Sequence, residues 1–98
     1  MTEELKKITQ EELNKTIKNT AISLFDIGVA YYKLGDYKQA IKHHEQALEM
    51  RKNIDKDDYP HIVTSLNNIG LAYEELGDYE KALEYHEKAL AMFQNLYK

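Results

Sequence analysis

An internal repeat constrains the fold of this chain more than any other feature of its sequence. The tetrapeptide LGDY occupies residues 34–37 and again residues 76–79, and residues 21–56 match residues 63–98 at 18 of 36 positions. Such self-similarity at a fixed spacing is typical of stacked units, because one unit cannot bury its apolar face alone. The sequence therefore predicts two similar units in one small domain.

Each unit has the pattern of a helical hairpin. Leu24, Ile27 and Tyr31 recur at spacings of three and four residues, which predicts a first helix with these side chains as its buried stripe. A second helix begins near Tyr37 by the same criterion. Between them, Gly35 can adopt a left-handed conformation that ends the first helix, and the aspartate that follows can cap the second.

Composition agrees with an all-α protein and excludes several functions. The 98 residues include one proline and four glycines, too few for the frequent turns of a β protein. A formal net charge of −4 and the absence of a basic cluster argue against nucleic-acid binding. Apolar stretches are too short to span a membrane, no signal peptide is recognisable, and cysteine is absent. These features predict a cytoplasmic protein without disulfides.

The first twenty residues do not align cleanly with the repeat. Thr9 and Glu12 form the pattern of a capping box, which predicts a helix start near Thr9. Two alternatives stay open: one long helix from about residue 10 to 33, or a kink near Asn19-Thr20. Residues 1–20 are therefore predicted to form an N-terminal helix, either separate from the first repeat helix or continuous with it.

The repeated residues resemble those of the tetratricopeptide repeat (TPR) family. The first unit carries Leu24, Ile27-Gly28, Tyr31, Ala40, His44 and Ala47, and the second carries Leu66, Ile69-Gly70, Tyr73, Ala82, His86 and Ala89. The spacing of 42 residues and the segment YPHIVTSLNNIGLAYEELGDYEKALEYHEKAL resemble the kinesin-light-chain subtype. The resemblance implies antiparallel helical hairpins stacked as a short right-handed solenoid. The units are residues 21–62, with a linker, and residues 63–98.

The histidines and carboxylates do not form a recognisable catalytic or metal site. His43 and His44 are neighbours on a predicted helix and point about 100° apart, so they cannot easily share one ion. His44 and His86 occupy equivalent positions, which packing inside the repeat explains. No glycine-rich phosphate loop is present. The prediction is a protein that is not an enzyme and needs neither cofactor nor metal.

The predicted function is a scaffold or adaptor that binds a peptide or partner protein on the concave face. First helices line the inner face of such a stack. The flank beside the buried stripe places ten residues there: Phe25, Asp26, Val29, Tyr32, Lys33, Asn67, Asn68, Leu71, Glu74 and Glu75. The resemblance implies that Asn68 grips the main chain of an extended ligand. The mixed charge favours a segment with apolar and basic side chains over an acidic tail.

The alternative function is structural. The last helix carries Leu83, Leu90 and Phe93 with no polar capping helix after it, although ends of such stacks usually need one. The chain is then either a stacking segment of a longer repeat array or a protein that self-associates through its uncapped ends. The residues predicted for self-association are Phe93, Leu96 and Tyr97.

Overall fold

Over the residues that the structure describes, the fold consists of four consecutive α-helices. A computed structural model describes the backbone of residues 3–54 and 59–96 and the side chains of residues 9–53 and 60–95. The helices are α1 (Glu3–Lys33), α2 (Tyr37–Ile54), α3 (Tyr59–Leu76) and α4 (Tyr79–Leu96). They form two hairpins, α1–α2 and α3–α4, which stack through contact between α2 and α3. The all-α solenoid of helical hairpins predicted from the sequence is confirmed.

The two LGDY segments form the turns of the hairpins, as predicted. Gly35 and Gly77 have φ angles of 83° and 81°, in the left-handed region that glycine tolerates best. The N–H groups of Gly35 and Asp36 donate to carbonyl groups of α1 at 3.0 and 2.9 Å, which is the Schellman pattern of a helix end. Oδ1 of Asp36 then accepts the N–H group three residues later at 3.3 Å, and Asp78 does the same at 3.2 Å.

Helix α1 runs without interruption through the first repeat. It begins at Glu3, so the helix start predicted near Thr9 is wrong. A capping residue must stand outside helical geometry, whereas the glutamates, leucine and lysines before Thr9 favour continuing the helix. The hydroxyl of Thr20 donates to the Thr16 carbonyl at 2.8 Å, so this threonine fits the helix interior. The long-helix alternative is therefore confirmed, because α1 continues through Asn19-Thr20.

The core lies around α3. One buried cluster contains Ile41, Leu48, Ile62, Leu66, Ile69, Ala72 and Ala89, from α2, α3 and α4. The stripe of α1 that was predicted to be buried is only partly buried. Ile27 is 41% exposed, whereas its equivalent in the second unit, Ile69, is 0% exposed. The reason is position in the stack, since α2 packs against α3, whereas none of the helices in the described part of the chain covers the equivalent side of α1.

The linker between the hairpins is short. Pro60 lies in the first turn of α3, where its missing N–H group costs no helical hydrogen bond. Asp58 precedes α3 and is of a residue type that suits a helix cap, but it lies outside the described residues. The division into residues 1–20, 21–62 and 63–98 stays a prediction, and its first boundary falls inside the continuous helix α1.

Candidate functional site

A pocket opens between α1 and α3, with α2 behind it. Its volume is about 140 Å³, and it is lined by Val29, Tyr32, Lys33, His44, Asn68 and Leu71. Five of these six residues belong to the ten predicted for the concave face. The stacking of two hairpins creates the pocket. Helices α1 and α3 are the first helices of successive units, so their equivalent flanks lie on the same side of the stack.

The other five predicted residues surround the pocket without lining it. Phe25 meets the ring of His44 edge-on, with the ring centroids 5.0 Å apart. Asn67 and Glu74 reach instead toward His86 of α4, at 3.3 and 3.7 Å. Asp26 and Glu75 are exposed. Five of the predicted residues therefore line a pocket between the hairpins, and two others, Asn67 and Glu74, lie beside α4.

Carboxylates of α3 act on the pocket from across the groove. The pKa of Tyr32 is raised, first by partial burial and then by the negative charge of Glu75, with smaller effects from Tyr37 and Glu74. The ring of Tyr32 also meets that of Tyr37 edge-on at 5.2 Å, which fixes its position on the rim. Tyr32 thus presents a neutral hydroxyl beside an acidic edge.

His44 is the pocket residue that sequence reasoning assigned only to packing. Its side chain is 1% exposed and lies against Gly28, which leaves room for the ring because it has no Cβ atom. Neither ring nitrogen has a hydrogen-bond partner among the described residues. Burial, and to a lesser extent the charge of His43, lowers the pKa of His44 to about 4. The imidazole is therefore neutral at pH 7.

The repeat contains both residues of this pair twice, because Gly70 and His86 occupy the positions equivalent to Gly28 and His44. Gly70 lies against His86 in the same way as Gly28 lies against His44. The two histidines differ in burial, since the His86 side chain is 32% exposed. Within the described residues, no group of three or more histidine, aspartate or glutamate side chains is placed to hold a metal ion.

The outer face of α4 forms a second exposed surface. Phe93, predicted for self-association, is 49% exposed, and Tyr79, Leu83 and Leu90 on the same helix are 70%, 59% and 55% exposed. The side chain of Leu96 and the whole of Tyr97 lie outside the described residues. The sequence analysis did not include Tyr79 in this surface. Its equivalent in the first unit, Tyr37, is packed against the core, whereas Tyr79 is exposed.

Comparison with known proteins agrees with this architecture. The family model described as tetratricopeptide repeat matches residues 3–53 and residues 19–95. The chain belongs to the tetratricopeptide repeat family. Repeats of this family generally mediate protein–protein interaction, and the family is typically non-catalytic. The comparison with curated proteins gives no match. None of the helices, over the residues described, has the length and apolar character to cross a membrane.

Proposed function

We propose that this chain is a non-catalytic scaffold that binds an extended segment of a partner protein in the groove between α1 and α3. The pocket between the two hairpins carries this proposal. Leu71 is 41% exposed at its edge, and Val29 and Tyr32 are partly exposed beside it. Concave apolar surfaces with a few polar groups are the usual form of binding sites.

The pocket suits one apolar side chain of the ligand. Its volume of about 140 Å³ is close to the roughly 150 Å³ of an engineered apolar cavity that binds benzene. Val29 and Leu71 supply apolar walls, and the buried ring of His44 lies behind them. A leucine, isoleucine, methionine or phenylalanine side chain would remove these surfaces from water, which favours binding in proportion to the apolar area buried.

Polar groups around the pocket favour a basic peptide with an exposed backbone. The side-chain amide of Asn68 can both donate to and accept from a peptide main chain. Among the ten predicted groove residues, Asp26, Glu74 and Glu75 are acidic. Lys33 is the basic residue of that set. This balance favours lysine or arginine near the apolar anchor, because complementary charge speeds association and improves specificity.

The test is a library of labelled peptides, each with one apolar anchor flanked by basic or acidic residues, measured by fluorescence polarisation. Basic-flanked peptides should bind the wild type. Leu71→Glu should weaken that binding by at least 10-fold, because it places a carboxylate at the pocket edge. Asn68→Ala should weaken it less and without a preference for the anchor side chain, because the amide contacts the main chain.

Leu76→Glu provides the matched control. Leu76 is also 41% exposed on α3, but it lines a different opening, beside Lys38, Ile41 and Tyr73. Circular dichroism should give the same helix content for both variants. The proposal is overturned if no peptide of the library binds, or if Leu71→Glu and Leu76→Glu reduce binding equally.

A second candidate function is structural, and the outer face of α4 favours it. Four large side chains on that helix are about half exposed or more. Exposed apolar surfaces of this kind commonly mark contact sites between proteins. On this proposal the chain stacks through its ends, with further repeats or with another copy of itself.

We also propose that the repeats are of the kinesin-light-chain-like subtype. The 18-residue helices α2 and α4 occupy residues 37–54 and 79–96, so their bounds repeat at the spacing of the LGDY segments. Alignment of repeats from the flanking sequence tests this proposal, and a spacing of 34 residues there would contradict it. The cytoplasmic location stays a prediction.

A further inference from the structure

One row of side chains on α4 is exposed or partly exposed from Tyr79 to Phe93. Its members, at alternating spacings of four and three residues, are Tyr79, Leu83, His86, Leu90 and Phe93. Residues spaced in this way lie on one face of a helix. The four apolar or aromatic members other than His86 are each at least 49% exposed, and the His86 side chain is 32% exposed. We call this row the tail face.

The same row on α2 is covered. The repeat places Tyr37, Ile41, His44, Leu48 and Arg51 at the equivalent positions. Ile41, His44, Leu48 and Arg51 are between 1% and 7% exposed. Ile41 and Leu48 belong to the buried cluster that includes α3 residues, so α3 is the helix that covers this row. The tail face therefore corresponds to a repeat-stacking surface that no helix covers within the described residues.

Helix α1 carries the face that α3 uses for this contact. On α3, the covering residues include Leu66, Ile69 and Ala72, each at most 5% exposed, with Tyr73 packed against the same cluster. The repeat gives identical residue types on α1, where they form what we call the head face: Leu24, Ile27, Ala30 and Tyr31. Ile27 is 41% exposed, and Ala30 is also exposed.

We propose that the tail face of one molecule binds the head face of a second copy of this chain, head to tail, and reproduces the α2–α3 contact between molecules. This inference rests on the second candidate function and names its partner and register. The tail face and the head face differ, so the contact is heterologous, and each bound copy still offers a free face. Association should therefore continue beyond a dimer as concentration rises.

Charge and length are compatible with this contact. The tail face contains no aspartate, glutamate, lysine or arginine, and Phe93 stands where the covered row of α2 has Arg51. The head face is equally free of these residues, so stacking buries no unpaired charge from either row. Residues 3–16 of α1 have no counterpart in α3, which begins at Tyr59. In the stacked register they extend past the end of the neighbouring α4.

The experiment uses two variants that each remove one face. Ile27→Glu places a charge on the head face and Leu83→Glu places one on the tail face, at side chains 41% and 59% exposed in the monomer. Sedimentation velocity should give a sedimentation coefficient for the wild type that rises with concentration, from micromolar to millimolar. Each variant alone should stay monomeric. An equimolar mixture of the two should form a heterodimer and stop there, because one intact tail face meets one intact head face.

Leu71→Glu is the matched control, because Leu71 is as exposed as Ile27 but lies in the groove. It should associate like the wild type, so failure of groove binding and failure of stacking are separable. Circular dichroism checks that all three variants fold. A wild type that stays monomeric at millimolar concentration overturns the proposal. So does an Ile27→Glu variant that dimerises alone, since that result indicates tail-to-tail pairing, or a mixture that does not form the heterodimer.

Discussion

The imidazole of His44 lies against the backbone of Gly28, and a Cβ atom at position 28 would approach its Nε2 atom to 2.7 Å. The same relationship holds in the second hairpin, where a Cβ atom on Gly70 would lie 2.7 Å from Nε2 of His86. Both glycines let the two helices of a hairpin approach closely over a ring. The surroundings of the two rings differ, because His44 is buried and His86 is partly exposed.

Substitution of these two glycines should therefore have unequal effects. Gly28→Ala should lower the free energy of unfolding by about 1–3 kcal/mol, because a Cβ atom there overlaps a ring that is 1% exposed and packs edge-on against Phe25. Gly70→Ala should be nearly neutral, because His86 can shift toward solvent and alanine improves helix propensity by about 1 kcal/mol. Urea unfolding followed by circular dichroism measures both. Equal losses in the two variants would contradict this account.

The neutral state of His44 should make stability fall in acid. Its pKa is about 4 in the folded protein, below the ordinary value of 6.5. The unfolded chain therefore binds a proton first, and stability present above pH 6.5 is lost as pH falls through 4. A difference of this size corresponds to about 3 kcal/mol. Thermal unfolding at several pH values measures the loss.

His44→Phe is the control for that acid dependence. Other groups can also make stability depend on pH, so the expected result is a smaller loss in the variant than in the wild type. At pH 7 the variant should be as stable as the wild type or more stable, because it removes two buried nitrogens that lack hydrogen-bond partners. An identical pH dependence in both proteins would show that His44 does not cause it.

The turn glycines should respond to substitution for a different reason. Gly35→Ala should cost about 1–2 kcal/mol because residue 35 has a φ of 83°, where a Cβ atom is strained against the chain's own backbone. Beyond its chain neighbours, no atom of the described residues lies within 4 Å of a Cβ placed there. Gly77→Ala should cost the same, and Gly35→Asn less, because asparagine tolerates this conformation better. Chemical unfolding of the three variants gives the comparison, and a cost-free Gly35→Ala would refute the strain argument.

Tyr85 should ionise at unusually high pH. Its hydroxyl donates to the Glu45 carboxylate at 3.1 Å, across the two hairpins. Burial, and then the charge and hydrogen bond of Glu45, raise the pKa of Tyr85 to about 12. Glu45→Gln should lower that pKa, measured by NMR titration of labelled tyrosine with Tyr85→Phe to assign the signal. The stability that this group contributes below pH 10 should be lost as pH rises through 12. No change of the pKa in Glu45→Gln would contradict the assignment to Glu45.

Local structure was largely predictable because its causes are local. The left-handed conformation of Gly35 and the capping by Asp36 follow from residue type and from their position between two helical stripes. The start of α1 was not predictable in this way, because Thr9 is suited to cap a helix and also fits inside one. The preceding helix-forming residues decided between these possibilities.

The candidate site was predictable as a set of residues but not as a shape. Helical spacing alone placed Val29 and Leu71 on the exposed flank of two first helices. The sequence could not say that they border one pocket with His44 behind it, because that depends on how α1, α2 and α3 pack. Nor could it say that Asn67 turns to His86 while its neighbour Asn68 lines the pocket.

By itself, the sequence determined the repeat, the helices and the turns, because these follow from residue type and spacing within each unit. Only the tertiary structure decided which copy of each repeated residue is buried. Ile27 and Ile69 are the same residue at the same repeat position, yet their exposed fractions are 41% and 0%. The physical reason is that burial depends on the neighbouring hairpin, and in a stack of two hairpins each unit has a neighbour on one side.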